Sequence, residues 1–365
     1  MRCQVEREVF AEILATVAGA LPGRTTYPVL QNVLLEVSGG KVSVSGTDID
    51  TTVRKDFPVL KAGEDGQVLV PGRKLLEAVR ELGVADAEFR TKDRNLHIET
   101  SNSRAMLAGL DPGEFPEVPK LPEGVALELS IAAIFDLFDN AAFAASRDDS
   151  RPAMSGINWE ISRTEMRMVA TDGHRLSLVQ TKSKQPAAAK VLIPPKPFSL
   201  LPRGGDVVTL YVDPARVGLV TEDTVVISRQ LEGPYPDYTR VIPKDKKLHR
   251  AVVGRELLNA ALRRAAVFAH PVGRLTAFTF AAGKVNLHAE TPEIGSSDED
   301  VACEYEGKEI RTGFNASYVM EVLRHIGSEK VQFELEGPLA AAVVRPVDEE
   351  GTLEKTYLLM PIRLD

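Results

Sequence analysis

The sequence predicts an α+β protein made of three tandem copies of one module, each a pair of helices with an antiparallel sheet. Three observations carry that reading. A hairpin pattern recurs, an amphipathic stretch precedes each hairpin, and a second helical stretch follows it, in the same order each time.

The hairpin is clearest in the first copy. Val33, Leu35 and Val37 alternate with Leu34 and Glu36, Val42 and Val44 alternate with Ser43 and Ser45, and Ser38-Gly39-Gly40 lies between them. Alternation of period two buries one face of a strand, and the glycines let the chain reverse. About 120 residues further on, Ile157, Trp159 and Ile161 alternate with Asn158 and Glu160, and Met166 and Met168 follow the turn. A similar step leads to Phe278 and Phe280, then through Ala282-Gly283-Lys284 into Val285 and Leu287.

Ahead of the hairpins stand Phe10, Ile13 and Leu14, then Ile134, Leu137 and Phe138, then Leu258, Ala261 and Leu262. The i, i+3, i+4 spacing predicts an amphipathic helix opening each copy. The second helices are expected over residues 72–82, 196–201 and 315–326. The middle one should be poor, because Pro195, Pro197 and Pro202 remove backbone donors. Each copy closes near an aromatic or Met followed by Pro: Phe115-Pro116, Tyr235-Pro236 and Met360-Pro361. Polar, Pro-bearing junctions at residues 121–124 and 243–247 suit short linkers and place the modules at 1–124, 125–249 and 250–365.

Composition narrows the function classes. The 365 residues suit two or three domains, and 44% hydrophobic with 26% charged residues is ordinary for a soluble globular chain. No apolar run approaches the roughly 18 residues of a membrane span, and Met1-Arg-Cys-Gln-Val-Glu has no apolar signal core, so neither membrane insertion nor export is expected. Cys3 and Cys303, the only cysteines, form neither a disulfide framework nor a zinc site, which fits a reducing cytoplasm. A net charge of −8 opposes a conventional DNA binder that neutralises many phosphates, and no helix-turn-helix pattern is present.

Two motifs suggest chemistry. Asp172-Gly173-His174-Arg175 offers a carboxylate beside a histidine, the parts of a hydrolase-type acid–base pair. Asp-Gly is equally a turn dipeptide, and no Gly-x-Ser-x-Gly, His-Glu-x-x-His or P-loop accompanies it. Asp48-Ile49-Asp50, read as a strand, would put two carboxylates on one side, but no third metal ligand lies nearby in sequence, so no metal site is expected. The acidic run from Glu290 to Glu309 reads as a solvated loop and edge strand.

Several short blocks carry a family likeness: Arg24-Thr-Thr-Tyr-Pro-Val-Leu30, Gly46-Thr-Asp48, Val169-Ala-Thr-Asp-Gly-His-Arg-Leu176, Tyr235-Pro-Asp-Tyr-Thr-Arg-Val241, Phe314-Asn-Ala-Ser-Tyr-Val319 and Tyr357-Leu-Leu-Met-Pro-Ile-Arg-Leu364. Over essentially the whole chain they resemble the sliding clamp, or beta subunit, of bacterial DNA polymerase III. The resemblance implies a head-to-tail homodimer of six modules, a ring with helices inside and sheets outside. It implies a non-catalytic accessory subunit without cofactor. Its partners would be double-stranded DNA without sequence preference, a polymerase catalytic subunit, an ATP-dependent clamp loader and other clamp-motif replication and repair proteins. A ring holds DNA topologically, which reconciles a DNA role with the acidic balance.

The same resemblance implies site residues. A peptide groove would take Thr171, Gly173, His174, Arg175 and Leu176 from the middle module, with Met154 as floor. Pro236, Arg240 and Val241 would come from that module's end, and Leu358, Met360, Pro361, Ile362 and Arg363 from the tail. DNA contacts would fall first to Arg24 and Arg147 by that resemblance, and the basic positions Arg73, Lys196 and Arg203 are further candidates; for each a solvated surface cation is the alternative. Val267 and Phe268 would meet the edge 104–107, including Leu107, of a partner's first module, with core packing as the alternative. The chain departs from the family at Ala105-Met106, where an aromatic is common, at Pro152-Ala153, where tyrosines occur, and at Asp365, which follows the usual final Leu.

Overall fold

The computed structural model describes residues 1–148, 150–243 and 248–364; residues 244–247 of the second junction and Asp365 lie outside them. Among these residues seven helices occur: α1 (Arg7–Ala20), α2 (Gly72–Arg80), α3 (Ile131–Ala141), α4 (Pro152–Ser155), α5 (Lys196–Ser199), α6 (Arg255–Ala265) and α7 (Ala316–Arg324). The expected opening helices are α1, α3 and α6, and the second helices are α2, α5 and α7. Proline crowding reduces α5 to a single turn, as its sequence predicts.

The chain forms two compact units, and the second copy is divided between them. The first unit holds residues 1–135 and 193–230. Its larger sheet has eight strands, and the first copy's hairpin, Asn32–Ser38 with Lys41–Thr47, lies within it. The next strand, Thr51–Pro58, pairs with Thr224–Arg229 of the second copy in the register Thr52↔Ile227. One sheet thus runs from the first copy into the second. Helix α1 buries Phe10, Ile13, Leu14 and Val17 and leaves Glu8 and Glu12 exposed. It lies so close to the sheet that a Cβ at Gly46 would come within 2.7 Å of Val17, so only glycine fits. A second sheet of five strands ends on Arg104–Leu107, whose Arg104, Ala105 and Met106 are exposed and whose outer side has no strand beside it among the described residues.

The strand geometry in which Asp48 and Asp50 would share one side is not present. These residues form the turn between strands Lys41–Thr47 and Thr51–Pro58. Asp48 Oδ1 accepts the Thr51 N–H at 2.7 Å, and Ile49 sits at φ +84°. A β-branched residue in the left-handed region costs about 1–2 kcal/mol. Asp48 and Asp50 pair with different cations, Lys196 and Arg229, so they do not form a two-carboxylate metal site.

The second unit holds residues 136–192 and 231–365 and is organised on a twelve-stranded sheet. The other two hairpins are here: Ile157–Ile161 with Glu165–Thr171, and Leu275–Ala281 with Gly283–Thr291. Strand Arg175–Lys182 of the second copy pairs with Glu354–Leu359 of the third, in the register Leu176↔Leu358. The third copy's core is aromatic, with Phe278 and Phe314 edge to face at 5.2 Å and Phe280 and Phe333 at 5.7 Å. The acidic run is mostly strand: Gly295–Glu306 pairs with Gly283–Thr291 through residue 303. Only residues 303–306 also pair with His249–Gly254, so one edge of 296–302 has no strand beside it among the described residues.

Candidate functional site

The turn at 172–174 organises the second unit's surface. Asp172 Oδ1 accepts the N–H groups of His174 and Arg175, each at 2.9 Å, and Oδ2 accepts from Arg175 Nε at 3.2 Å. The Thr171 hydroxyl donates to the Arg175 carbonyl at 2.6 Å and accepts the Gly173 N–H at 3.1 Å. Gly173 takes φ +87°, which glycine adopts freely. Asp172 is therefore committed to the turn and to Arg175 rather than to the His174 ring, which faces the Tyr318 ring at 6.4 Å. The geometry an acid–base pair needs is not assembled by these two residues.

Arg175 is a keystone. Its side chain is 9% exposed; Nη1 reaches Glu321 at 2.5 Å, and Nη2 donates to the Phe143 carbonyl at 2.8 Å. The guanidinium also lies 4.6 Å from the Tyr318 ring centre. The planar fork thus ties the turn to Phe143 and to helix α7.

Beside this turn lies an apolar groove of about 160 Å³. Thr171, Gly173, Arg175 and Leu176 form one wall, with Met154 of α4 next to them. Pro236, Asp237, Tyr238 and Val241 line another side, and Leu358 and Met360 complete it. Beneath is a small core of Val169, Leu176, Tyr238, Val343 and Leu358. Tyr238 donates to Glu160 at 2.9 Å, and burial raises its phenol above the ordinary range, so it stays a neutral donor. Met360 and Val241, 42% and 46% exposed, stand at the mouth. The Met360 N–H donates to the His174 carbonyl at 2.8 Å and pins the tail to the turn.

Five expected groove residues do not line this apolar pocket. His174 faces a neighbouring polar depression of about 450 Å³ with Arg147, Arg151 and Glu321. Arg240 is exposed and paired with Asp237 at 2.8 Å. Ile362 bridges to Gly313, donating to its carbonyl at 2.8 Å, where a Cβ would come within 2.6 Å of the Ile362 oxygen. Pro361 is half-buried and Arg363 exposed, and neither lines the groove. Asp237 and Tyr238 were missed, although both fall within the Tyr235–Val241 block.

Of the expected DNA-contacting residues, Arg24 and Arg147 are exposed. Arg73 is exposed and donates to the Leu21 carbonyl at 3.3 Å, and Arg203 covers the Phe135 ring at 4.4 Å. Lys196 donates to the Ala20 carbonyl at 2.6 Å and pairs with Asp48, so its charge stabilises the end of α1. Of the expected interface residues, Leu107 is half-buried on the edge strand and Val267 is 65% exposed. Phe268 is partly buried against the third copy's core, and its carbonyl accepts from Thr291 at 2.8 Å. No group of three or more His, Cys, Asp or Glu able to hold a metal occurs among the described residues.

His325, at the end of α7, stacks on Phe143 with ring centres 4.2 Å apart. Burial lowers its pKa below the ordinary 6.5, with Lys355 and Arg175 acting in the same direction and Glu321 and Asp139 opposing. The folded state therefore takes up a proton less readily than the unfolded chain. Stability should be fully present above about pH 6.5 and fall as pH drops towards the lower folded value. Urea midpoints at pH 7.5 and 5.5 should reveal the loss, and His325→Phe should flatten the slope between them.

Comparison with known proteins agrees with this architecture. The family described as DNA polymerase III beta subunit matches through its N-terminal domain at residues 1–119, its central domain at 128–237 and its C-terminal domain at 239–363. The beta sliding clamp of Pseudomonas putida is 30% identical, with both chains covered completely. The beta sliding clamp of Staphylococcus aureus is 28% identical over the whole chain and 99% of its own length. Among solved structures, the DNA polymerase III beta subunit of Pseudomonas aeruginosa superposes with a TM-score of 0.94 at 30% identity over 100% of both chains. A Pseudomonas aeruginosa sliding clamp bound to griselimycin gives 0.93 at 30% identity, again over 100% of both.

Three like domains with one apolar groove at a sheet junction define a repeat-domain protein with a surface groove. The chain belongs to the DNA polymerase III beta subunit family.

Proposed function

We propose that this chain is a replicative sliding clamp, a non-catalytic processivity factor that encircles duplex DNA and tethers a polymerase through its groove. The observation that carries the reading is the apolar groove formed where Arg175–Lys182 meets Glu354–Leu359, in a chain matched from end to end by the clamp family. Met154, Leu358 and Met360 give it an apolar, adaptable lining suited to linear motifs of several partners. Those partners are the polymerase catalytic subunit, an ATP-dependent loader and other clamp-motif replication and repair proteins.

The working form is a head-to-tail homodimer of modules 1–124, 125–249 and 250–365, acting in the cytoplasm. Two exposed strand edges, 104–107 and 296–302, support it, since joining one to the other between copies satisfies open backbone groups and closes a finite ring. No helix among the described residues is long and apolar enough to cross a membrane.

A clamp loaded on nicked circular DNA should be retained in gel filtration and lost after the circle is linearised; equal loss from both substrates would sink the reading. Without loading, a short duplex should bind weakly and with little sequence preference. The slope of log affinity against log salt is about −0.9 per neutralised phosphate, and a net charge of −8 with Lys196 already paired leaves few phosphate contacts.

Val267→Asp should shift the dimer to monomer at low micromolar protein while circular dichroism stays unchanged. A hot-spot loss of about 2 kcal/mol, counted at both interfaces of a two-fold ring, is enough. Phe268 is a poor test because it also packs in the core. Sedimentation at the dimer value would remove Val267 from the interface.

A further inference from the structure

The first unit contains a second pocket that repeats the groove's construction with different chemistry. The turn at 48–50 repeats most of the hydrogen bonds of the turn at 172–174, although Asp48 accepts one backbone N–H where Asp172 accepts two. Asp48 Oδ1 accepts the Thr51 N–H at 2.7 Å as Asp172 accepts that of Arg175. The Thr47 hydroxyl donates to the Thr51 carbonyl at 3.2 Å and accepts the Ile49 N–H at 2.9 Å, as Thr171 does with Arg175 and Gly173. The Arg229 N–H donates to the Asp50 carbonyl at 2.9 Å, as that of Met360 does to His174. The sheet registers agree too, since Thr52↔Ile227 matches Leu176↔Leu358. Pro116 and Glu117 occupy the places of Pro236 and Asp237, and the pocket is about 150 Å³ against about 160 Å³.

What differs is the lining. Where the groove has Leu176 and Met360, this pocket has Thr52 and Arg229, and a further arginine, Arg216, lines it. Arg229 is paired with Asp50 at 3.6 Å. Arg216 is half-buried and has no ion pair among the described residues. Glu117 is exposed on the rim, so the charged lining residues, two arginines against Asp50 and Glu117, cancel and favour a ligand with few charges. Ile49 replaces Gly173 at the same positive φ, +84° against +87°, yet it is 50% exposed and lines the pocket instead of filling the core. A strained, exposed aliphatic side chain beside an unpaired cation marks the pocket as a contact surface.

We propose that this pocket is a second peptide-docking site, for a partner segment that carries one carboxylate beside an aliphatic side chain. The carboxylate pairs with Arg216 and the aliphatic group packs on Ile49. The assignment rests on reading the apolar groove as a peptide site, because the shared construction is what suggests the ligand class.

The test uses the full chain with labelled isoleucine and methionine methyl groups, read by NMR. The probes are acetyl-Ala-Glu-Val-Ala-amide, its Gln counterpart, and an apolar pentapeptide bearing Leu and Phe. The Glu peptide should shift the Ile49 and Ile227 methyls, and it should bind at least about fivefold more weakly after Arg216→Gln or in its Gln form, since a charge-assisted hydrogen bond is lost. Ile49→Gly should keep the fold, because glycine accepts this φ, and should also weaken the Glu peptide. Met360→Ala should leave Glu-peptide binding unaltered. No shift at Ile49 and Ile227 at about 5 mM peptide, or shifts that survive Arg216→Gln, would overturn the proposal. Failure of the apolar peptide to move Met360 would instead overturn the reading of the first groove, whatever the Glu peptide does at Ile49.

Discussion

Arg175→Ala is expected to cost about 3 kcal/mol of stability, the lower end of the range for breaking a buried ion pair. The lower end applies because Asp172 keeps its two backbone N–H partners and Glu321 is a third exposed, so neither carboxylate is stranded completely. The loss also removes the cation–π contact with Tyr318 and leaves the Phe143 carbonyl without its donor. Arg175→Lys should recover little, because one ammonium cannot reach Asp172, Glu321 and the Phe143 carbonyl together. Glu321→Gln should cost much less. Urea unfolding followed by circular dichroism measures all three. A cost for Arg175→Ala below about 1 kcal/mol would mean that the turn holds without its arginine.

Deleting residues 360–365 should abolish detectable binding of a micromolar apolar peptide while the dimer and the helical signal persist. Strand Glu354–Leu359 remains paired on both sides without the tail, so the sheet should survive. Only Met360 of the deleted residues lines the groove, and Ile362 fastens the tail to Gly313. Burying such a side chain is worth roughly 1.5–3 kcal/mol, so Met360→Ala alone should weaken the peptide about tenfold to a hundredfold. The deletion adds the loss of the anchored tail. Peptide binding that survives the six-residue deletion would move the docking site away from this groove.

The repeat was legible because period-two alternation and i, i+3, i+4 spacing are local. Val33 to Ser45, Ile157 to Met168 and Phe278 to Leu287 all lie in hairpins. The groove was legible where the sequence block and the surface coincide, at Thr171, Gly173, Leu176 and Met360. It was not legible at His174, because which side of a turn a residue faces depends on the φ of its neighbour Gly173. Lys196 looked free because its partner Asp48 is far away in sequence. The turn at Asp48 to Asp50 was not legible because it lacks glycine and proline, and isoleucine at positive φ is the residue least expected there.

The division of the second copy between two sheets has a thermodynamic consequence. Thr224–Arg229 completes a sheet begun by the first copy, and Arg175–Lys182 one continued by the third. Cooperative unfolding follows shared hydrogen bonds more closely than repeat boundaries. Native-state hydrogen exchange should thus resolve two protected blocks, with amides of Val226 and Val179 reporting different opening energies although they belong to one copy. For the same reason a fragment cut at residue 124 would leave Thr51–Pro58 with an unpaired edge and should aggregate, whereas an excision that keeps 1–135 joined to 193–230 preserves that pairing.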